Sequence, residues 1–363
     1  MVRIMARCPA RPPHLQALAI MSDALTPRQM IKALLRCETP SRPLLMPIIF
    51  SLGARMENLP LRSFMANPTK IANALRQIRS VLKVDGLTGY YDPFLEAEAL
   101  GCHREWRNDG SSFITCPSFS TADDLRGKMN SLAGLASKGY IPVACDVLRR
   151  LKVMLKDEPA LMIRVNGPCR LAAQLLGDKA VAQEPLPRDV VEFAAEVAAS
   201  VCKTFLEAGA DVILLTEGFA QEMSTETSAW HASLLSPIAN VVRFYEALPV
   251  LFFVGSAVSE ASLSQLVEHN GDWIPCWTPT VTERTQGAHL REGCAGIALP
   301  AQTFRVEQSF SPDVLRGLSS NHRIGFITSP GDLTETTDPR HLSKVLNAIR
   351  EGLLTQAQVR EVS

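Results

Sequence analysis

Eight short apolar runs recur along the chain, each bounded by Gly, Pro or Asp and separated by gaps wide enough for a helix. They are Pro43–Ser51, Gly86–Asp92, Ala160–Asn166, Asp211–Glu217, Pro249–Gly255, the weaker Trp273–Thr278, Cys294–Ala301 and Arg323–Ser329. They are apolar on both sides rather than alternating, the pattern of strands covered on both faces of a parallel sheet. Parallel neighbours need a long crossover, and a helix is the usual one. Helical periodicity fills most of the gaps, at Asn67–Leu82, Val147–Lys156, Val190–Ala208 and Leu342–Leu354. The expected fold is therefore α/β, a single-domain (β/α)8 barrel with insertions. An open doubly wound sheet is the alternative. No Gly-x-Gly-x-x-Gly follows any of the runs, so a dinucleotide site has no support.

Composition narrows the function. The chain has 363 residues, 37 Lys and Arg against 37 Asp and Glu, so nothing points to nucleic acid or to an anionic membrane surface. No apolar run has the length of a membrane span. Nine cysteines are scattered without a Cys-x-x-Cys pair, which fits free thiols in a reducing cytoplasm. Residues 1–21, rich in Arg and Pro, read as a loose tail or as sequence ahead of the true start at Met21. The barrel then occupies 22–363, with Ser22 or Thr26 capping the first helix and Pro27 in its first turn. The stretch Ser111–Ser120, in the longest gap between strands, is expected to form a hairpin or flap over the barrel mouth.

In such barrels ligands bind at the C-terminal ends of the strands. Pro93 forces Asp92 out of helical geometry and leaves its carboxylate free at such an end. Asp92 with Arg55 is read as an ion pair that either positions a substrate or closes a loop. Glu217 ends an apolar strand, where burial suits it to acid–base work or to a structural hydrogen bond. Of Tyr90 and Tyr91 only one faces the lumen, because successive strand residues point opposite ways; Tyr91 is assigned to the ligand. Ser51, Asn166, Arg170, Gln302 and Asp332 complete the candidate mouth, with Gln221, Glu222, Ser256, Thr278 and Ser329 at neighbouring strand ends.

Several segments then resemble one family in order. They are Thr26-Pro-Arg-Gln-Met-Ile-Lys-Ala-Leu, Asp92-Pro-Phe-Leu-Glu-Ala-Glu-Ala-Leu-Gly, and Asn166-Gly-Pro with Leu171-Ala-Ala-Gln-Leu-Leu-Gly177. Glu207-Ala-Gly-Ala-Asp-Val-Ile, Pro249-Val-Leu-Phe-Phe, and Gly325-Phe-Ile-Thr-Ser-Pro-Gly331 with Asp338-Pro339 follow. Together they resemble the uroporphyrinogen decarboxylase superfamily, whose other large branch is the cobalamin-dependent methyltransferases. The resemblance implies the barrel and a site at its C-terminal mouth.

Departures from that family shape the expected activity. The decarboxylase's arginine positions fall on Ser51 and Arg55, and its Asp on Asp92. Its Tyr, Ser and His positions fall on Gln174, Gly218 and near Asp332. An octa-anionic substrate needs several cations, and this mouth offers few. The zinc ligands of the methyltransferase branch fall on Phe253-Val-Gly255 and Asp332, none suited as a set. Cys169, His231 and Cys276 have no metal spacing, so no zinc is expected, and both cysteines are read as small buried residues.

The resemblance thus implies a zinc-independent methyltransferase acting with a corrinoid (cobalamin) on a separate corrinoid-binding protein and with a small methylated substrate. Asp92, Glu217 and Asp332 are the expected catalytic groups, and self-association as a homodimer is left open. A tetrapyrrole decarboxylase, or a non-catalytic tetrapyrrole- or small-ligand-binding barrel, is the alternative.

Overall fold

The computed structural model describes residues 25–362 apart from 39, 41, 109, 117–123, 125–126, 128–131, 133, 157, 178–185, 219–224, 255–270, 279–293, 305–322 and 334–337. The expectations for the 1–21 tail, for Ser22, for 117–120 of the flap, and for Gln221, Glu222 and Ser256 lie outside the described residues.

In chain order the strands are β1 (Leu44–Leu45), β2 (Gly86–Tyr90), β3 (His103–Trp106), β4 (Ser112–Cys116), β5 (Ala160–Asn166), β6 (Val212–Gly218), β7 (Leu248–Val254), β8 (Ile274–Trp277), β9 (Cys294–Ala298) and β10 (Arg323–Thr328). Eight of them form one parallel sheet in the order β1-β10-β9-β8-β7-β6-β5-β2. The described helices are α1 (Pro27–Leu35), α2 (Ser51–Met56), α3 (Leu61–Met65), α4 (Pro68–Leu82), α5 (Leu95–Ala99), α6 (Ile141–Leu155), α7 (Pro168–Leu176), α8 (Arg188–Glu207), α9 (Thr225–Phe244) and α10 (Pro339–Val362). This is a nearly closed (β/α)8 barrel. No helix among the described residues is long and apolar enough to cross a membrane.

The seam between the outer strands β1 and β2 is closed by a side chain. Asp85 donates its N–H to Leu45 O at 3.1 Å, and its carboxylate accepts the Leu45 N–H at 2.8 Å. Arg42 holds the same carboxylate through two N–H donors at 2.6 and 2.8 Å. The first strand is thus far shorter than Pro43–Ser51. Pro43 and Pro47 cannot donate to a ladder, and Ser51 already begins α2.

Two apolar layers follow from alternation along the strands. Met162, Val212, Leu214, Val250, Phe252 and Cys276 fill the lumen with Met30, Ile31 and Leu34 of α1. Ile163, Val165, Ile213, Leu215, Leu251 and Phe253 face the helices. Helix α1 starts where Thr26 and Gln29 form a reciprocal capping box behind Pro27. Helix α6 begins at Ile141, six residues ahead of the expected Val147, because its first turn packs Ile141 and Ala144 fully buried.

The expected flap is in part an antiparallel hairpin, β3 with β4. Its first strand carries Arg104, which matters below.

Candidate active site at the barrel mouth

A register shift between Thr88 and Tyr90 places a bulge at Gly89. It turns Tyr90 into the helix layer, where its hydroxyl donates to Met65 O at 2.9 Å and its ring packs on Phe50. Tyr91 is left at the mouth, half-buried, with the Arg164 guanidinium 5.7 Å from its ring centroid. One tyrosine packs and the other faces the site, as alternation requires.

Asp92 is not free, and Arg55 is not its partner. Arg104 Nη1 donates to Asp92 Oδ2 at 2.7 Å and to Glu98 at 2.9 Å, with the Asp92 and Arg104 side chains almost wholly buried. The Phe94 N–H occupies Asp92 Oδ1 at 2.9 Å, as expected for an Asp that starts a turn. Arg104 lies 4.4 Å from the Trp106 ring centroid and donates through Nε to Ser112, so the hairpin holds it in place. Arg55 sits exposed on α2. The ion pair expected of Asp92 exists, with a cation 12 residues later in sequence.

Asn166 is the hub of the mouth. Its Oδ1 accepts from Arg164 Nη2 at 2.9 Å and from Arg170 Nε at 3.1 Å. Its backbone N–H and its Nδ2 donate to the two oxygens of Glu96 at 2.9 and 2.6 Å. Gln174 belongs to the same network, donating to Pro93 O at 2.8 Å. Burial pushes the Glu96 carboxyl up from its ordinary range, against the pull of Arg164 and the Asn166 donors. Burial and the neighbouring Arg164 lower Arg170. Arg104 and Arg164 therefore join the expected Arg170 as cations at the mouth. Arg164 follows Met162 on the lumen side of β5, and Thr216 follows Leu214 on that of β6. The Thr88 and Thr216 hydroxyls are buried without a hydrogen-bond partner among the described residues.

Glu217 points the other way along β6, toward the helices with Ile213 and Leu215. Its Oε1 accepts the N–H groups of Arg170 at 2.9 Å and Gly218 at 3.0 Å. Its Oε2 lies 3.3 Å from His231 Nε2 on α9, with both side chains fully buried. Gly167 is needed there, since a Cβ would run into that carboxylate and stand 3.2 Å from Thr216 O. Cys169, in the first turn of α7, completes the corner: one donor atom each from Cys169, Glu217 and His231 lies within 4.8 Å of the other two. Cys169 is therefore not simply a small apolar residue. Burial and Glu217 together push its thiol well up.

Asp332 accepts the Phe50 N–H at 2.7 Å and the Ser51 N–H at 2.9 Å, so both its oxygens serve the start of α2. Ser51 is buried beside it, and Gln302 is exposed on a short turn after β9. The positions of the family's zinc ligands do not fit the metal. Phe253 is core of the helix layer, Asp332 is engaged by backbone amides, and Gly255 lies outside the described residues. Cys276 sits apart in the lumen core. Glu96, Arg104 and Arg164 are site residues beyond those expected from the sequence, and Cys169 and His231 come together without a metal-ligand spacing. Arg164 did leave a signal: it is the lone charge in the apolar run Ala160–Asn166.

A parallel eight-stranded barrel with its polar network at the strand C-termini is the architecture of a (β/α)8 enzyme scaffold. The chain belongs to the uroporphyrinogen decarboxylase (URO-D) family, whose sequence profile matches residues 26–351. Among solved structures it is similar to a methyltransferase from Methanosarcina mazei, at 17% identity and TM-score 0.70, covering 90% of this chain and 98% of that one. A more distant likeness is 3-keto-D-glucoside 4-epimerase from E. coli, at 8% identity and TM-score 0.44, covering 78% of this chain and 94% of that one. No curated protein matches the chain in sequence.

Proposed function

We propose that the protein is a methyltransferase of this family. It moves a methyl group between a corrinoid carried by a partner protein and a small methylated compound, with no zinc at the positions used by the family's zinc-containing branch. Charge balance at the mouth carries this reading. Three cations, Arg104, Arg164 and Arg170, stand near four carboxyl groups, Asp92, Glu96, Glu98 and Glu217, so the mouth holds no surplus of positive charge even with Glu96 protonated. Arg104 is ion-paired, while Arg164 and Arg170 bond the Asn166 amide oxygen. An octa-anionic porphyrinogen needs a surplus of cations to offset its desolvation. A small neutral or singly charged compound does not. The methyltransferase of M. mazei shares the fold and is consistent with the reading.

The corrinoid, held on its own carrier, would give or receive the methyl group. The residues of this chain bind and orient the small compound. Tyr91 offers a flat face and a hydroxyl at the mouth, and Arg164 beside its ring offers a cation. That pair also suits the edge of a planar macrocycle. A methyl leaving oxygen or nitrogen leaves an anion that must be protonated, and the Tyr91 hydroxyl is the donor best placed to do it. Asp92, Glu217 and Asp332 then act by positioning, because their oxygens are held by Arg104 and by backbone amides.

The test mixes purified protein with cob(I)alamin or methylcob(III)alamin and a panel of methoxy, methylamine, folate and thiol compounds, following the corrinoid spectrum. Protein-dependent conversion with at least one compound is expected, as is its loss in Arg164→Ala. If no compound changes the spectrum while coproporphyrinogen forms from uroporphyrinogen, decarboxylation replaces this reading. If neither reaction occurs, a binding role does.

A further inference from the structure

We propose that Cys169, Glu217 and His231 form a site for a divalent ion of the zinc class at the corner between β5, β6 and α9. The inference stands apart from methyl transfer and replaces the expectation that this chain binds no zinc. It rests on donor chemistry and geometry. A thiolate, an imidazole and a carboxylate are the soft-to-borderline set that zinc accepts. In a tetrahedral site with ligand bonds of about 2.0–2.3 Å, donors stand about 3.3–3.5 Å apart. Glu217 Oε2 and His231 Nε2 are 3.3 Å apart, and the donor atoms of all three residues fall within 4.8 Å of one another. A metal drawing in Cys169 needs only a side-chain adjustment.

The surroundings are those of a supported ligand. Glu217 Oε1 is fixed by the N–H groups of Arg170 and Gly218, and Oε2, which accepts the Cys169 N–H at a long 3.4 Å, is directed at His231. Partners of this kind orient metal ligands. Gly167 provides the space that the carboxylate occupies. Charge also closes: one thiolate and one carboxylate neutralise a divalent cation, so the loaded corner is neutral in a buried place that tolerates no net charge. Glu217 and His231 are buried and Cys169 is only partly buried, so a fourth ligand would approach from the Cys169 side. Three protein ligands with an open fourth position is the arrangement of reactive rather than purely structural zinc.

The test is cobalt titration of the full chain, reduced and stripped of metal. One equivalent per chain should bind with a thiolate-to-cobalt charge-transfer band, and zinc should displace it. Cys169→Ser should abolish the band and His231→Gln should weaken binding at least about tenfold, while Cys276→Ser leaves both intact. Absence of the band in the unaltered protein, or its survival in Cys169→Ser, overturns the proposal. Should the Cys169 variant fail to fold, alkylation of the unaltered protein decides instead. Zinc should slow modification of Cys169, located by mass spectrometry, and an unchanged rate at Cys169 overturns the site.

Discussion

Two carboxylates flank Asn166 at the barrel mouth, and they are held in opposite ways. On the β2 side, Asp92 is neutralised by Arg104, which Glu98 shares, and nothing is left to recruit. On the β6 side, Glu217 is held by two backbone N–H groups on one oxygen. Its other oxygen, with a single long bond from the Cys169 N–H at 3.4 Å, faces an imidazole with a thiol close by. The first arrangement stabilises a loop and a hairpin. The second leaves an anionic corner with ligand atoms pointing inward. A carboxylate at a strand end is therefore a poor guide to chemistry until its partner is known.

The sharpest way to break this comparison is to remove the partner on the β2 side. Arg104→Ala leaves Asp92 buried with only the Phe94 N–H, and removing one member of a buried pair costs about 3–5 kcal/mol. Asp92→Ala is milder, at about 1–3 kcal/mol, because Arg104 keeps Glu98. Urea unfolding measures both. Equal costs, or a larger one for Asp92, would mean that Glu98 does not hold Arg104 once Asp92 is gone.

That asymmetry also explains what the sequence could and could not disclose. The barrel was legible because strands buried on both faces write continuous apolar runs; β5 falls where it was expected, residue for residue, and β6 and β7 within one. The first strand was overread, since Leu44 to Phe50 is apolar and buried whether or not its backbone joins a ladder. At the site, Asp92, Asn166 and Glu217 were visible as polar ends of apolar runs. Their partners were not. Arg104 lies on a hairpin whose strand alternates exposed and half-buried residues, and His231 comes from a helix 14 residues after Glu217. Local pattern reports which face a residue lies on. It does not report which residue of another element meets it there.

Glu96 sharpens the comparison further, because its carboxyl is buried with no ion pair among the described residues. Burial raises it above its ordinary range, so its protonated form is the one the fold prefers. The stability that it contributes is complete below the ordinary glutamate range and falls as pH rises through the raised value. Glu96→Gln removes that ionisation at a cost of about 1–3 kcal/mol, since its amide then faces the Asn166 Nδ2. Unfolding from about pH 5 to about pH 8 should show the gap between the unaltered protein and the variant narrowing as pH rises. A gap that is constant or widens would place the Glu96 charge in the fold as a stabiliser, like that of Asp92.

The smallest effect on stability is expected at Tyr91, and it is the most informative about function. Tyr91→Phe keeps the ring over which Arg164 lies and removes only a hydroxyl at a half-buried position. Such a change stays within about 0.5 kcal/mol when no buried partner is orphaned. If the hydroxyl protonates a departing group, turnover falls by about 10²–10⁴-fold for substrates that leave as alkoxide or amide. It falls little for thiols, whose conjugate bases need no proton to leave. The binding constant for the small compound should hardly move, because the face and the cation remain. A uniform loss across all leaving groups would instead make Tyr91 a packing residue like Tyr90, and the proton would have to come from elsewhere at the mouth.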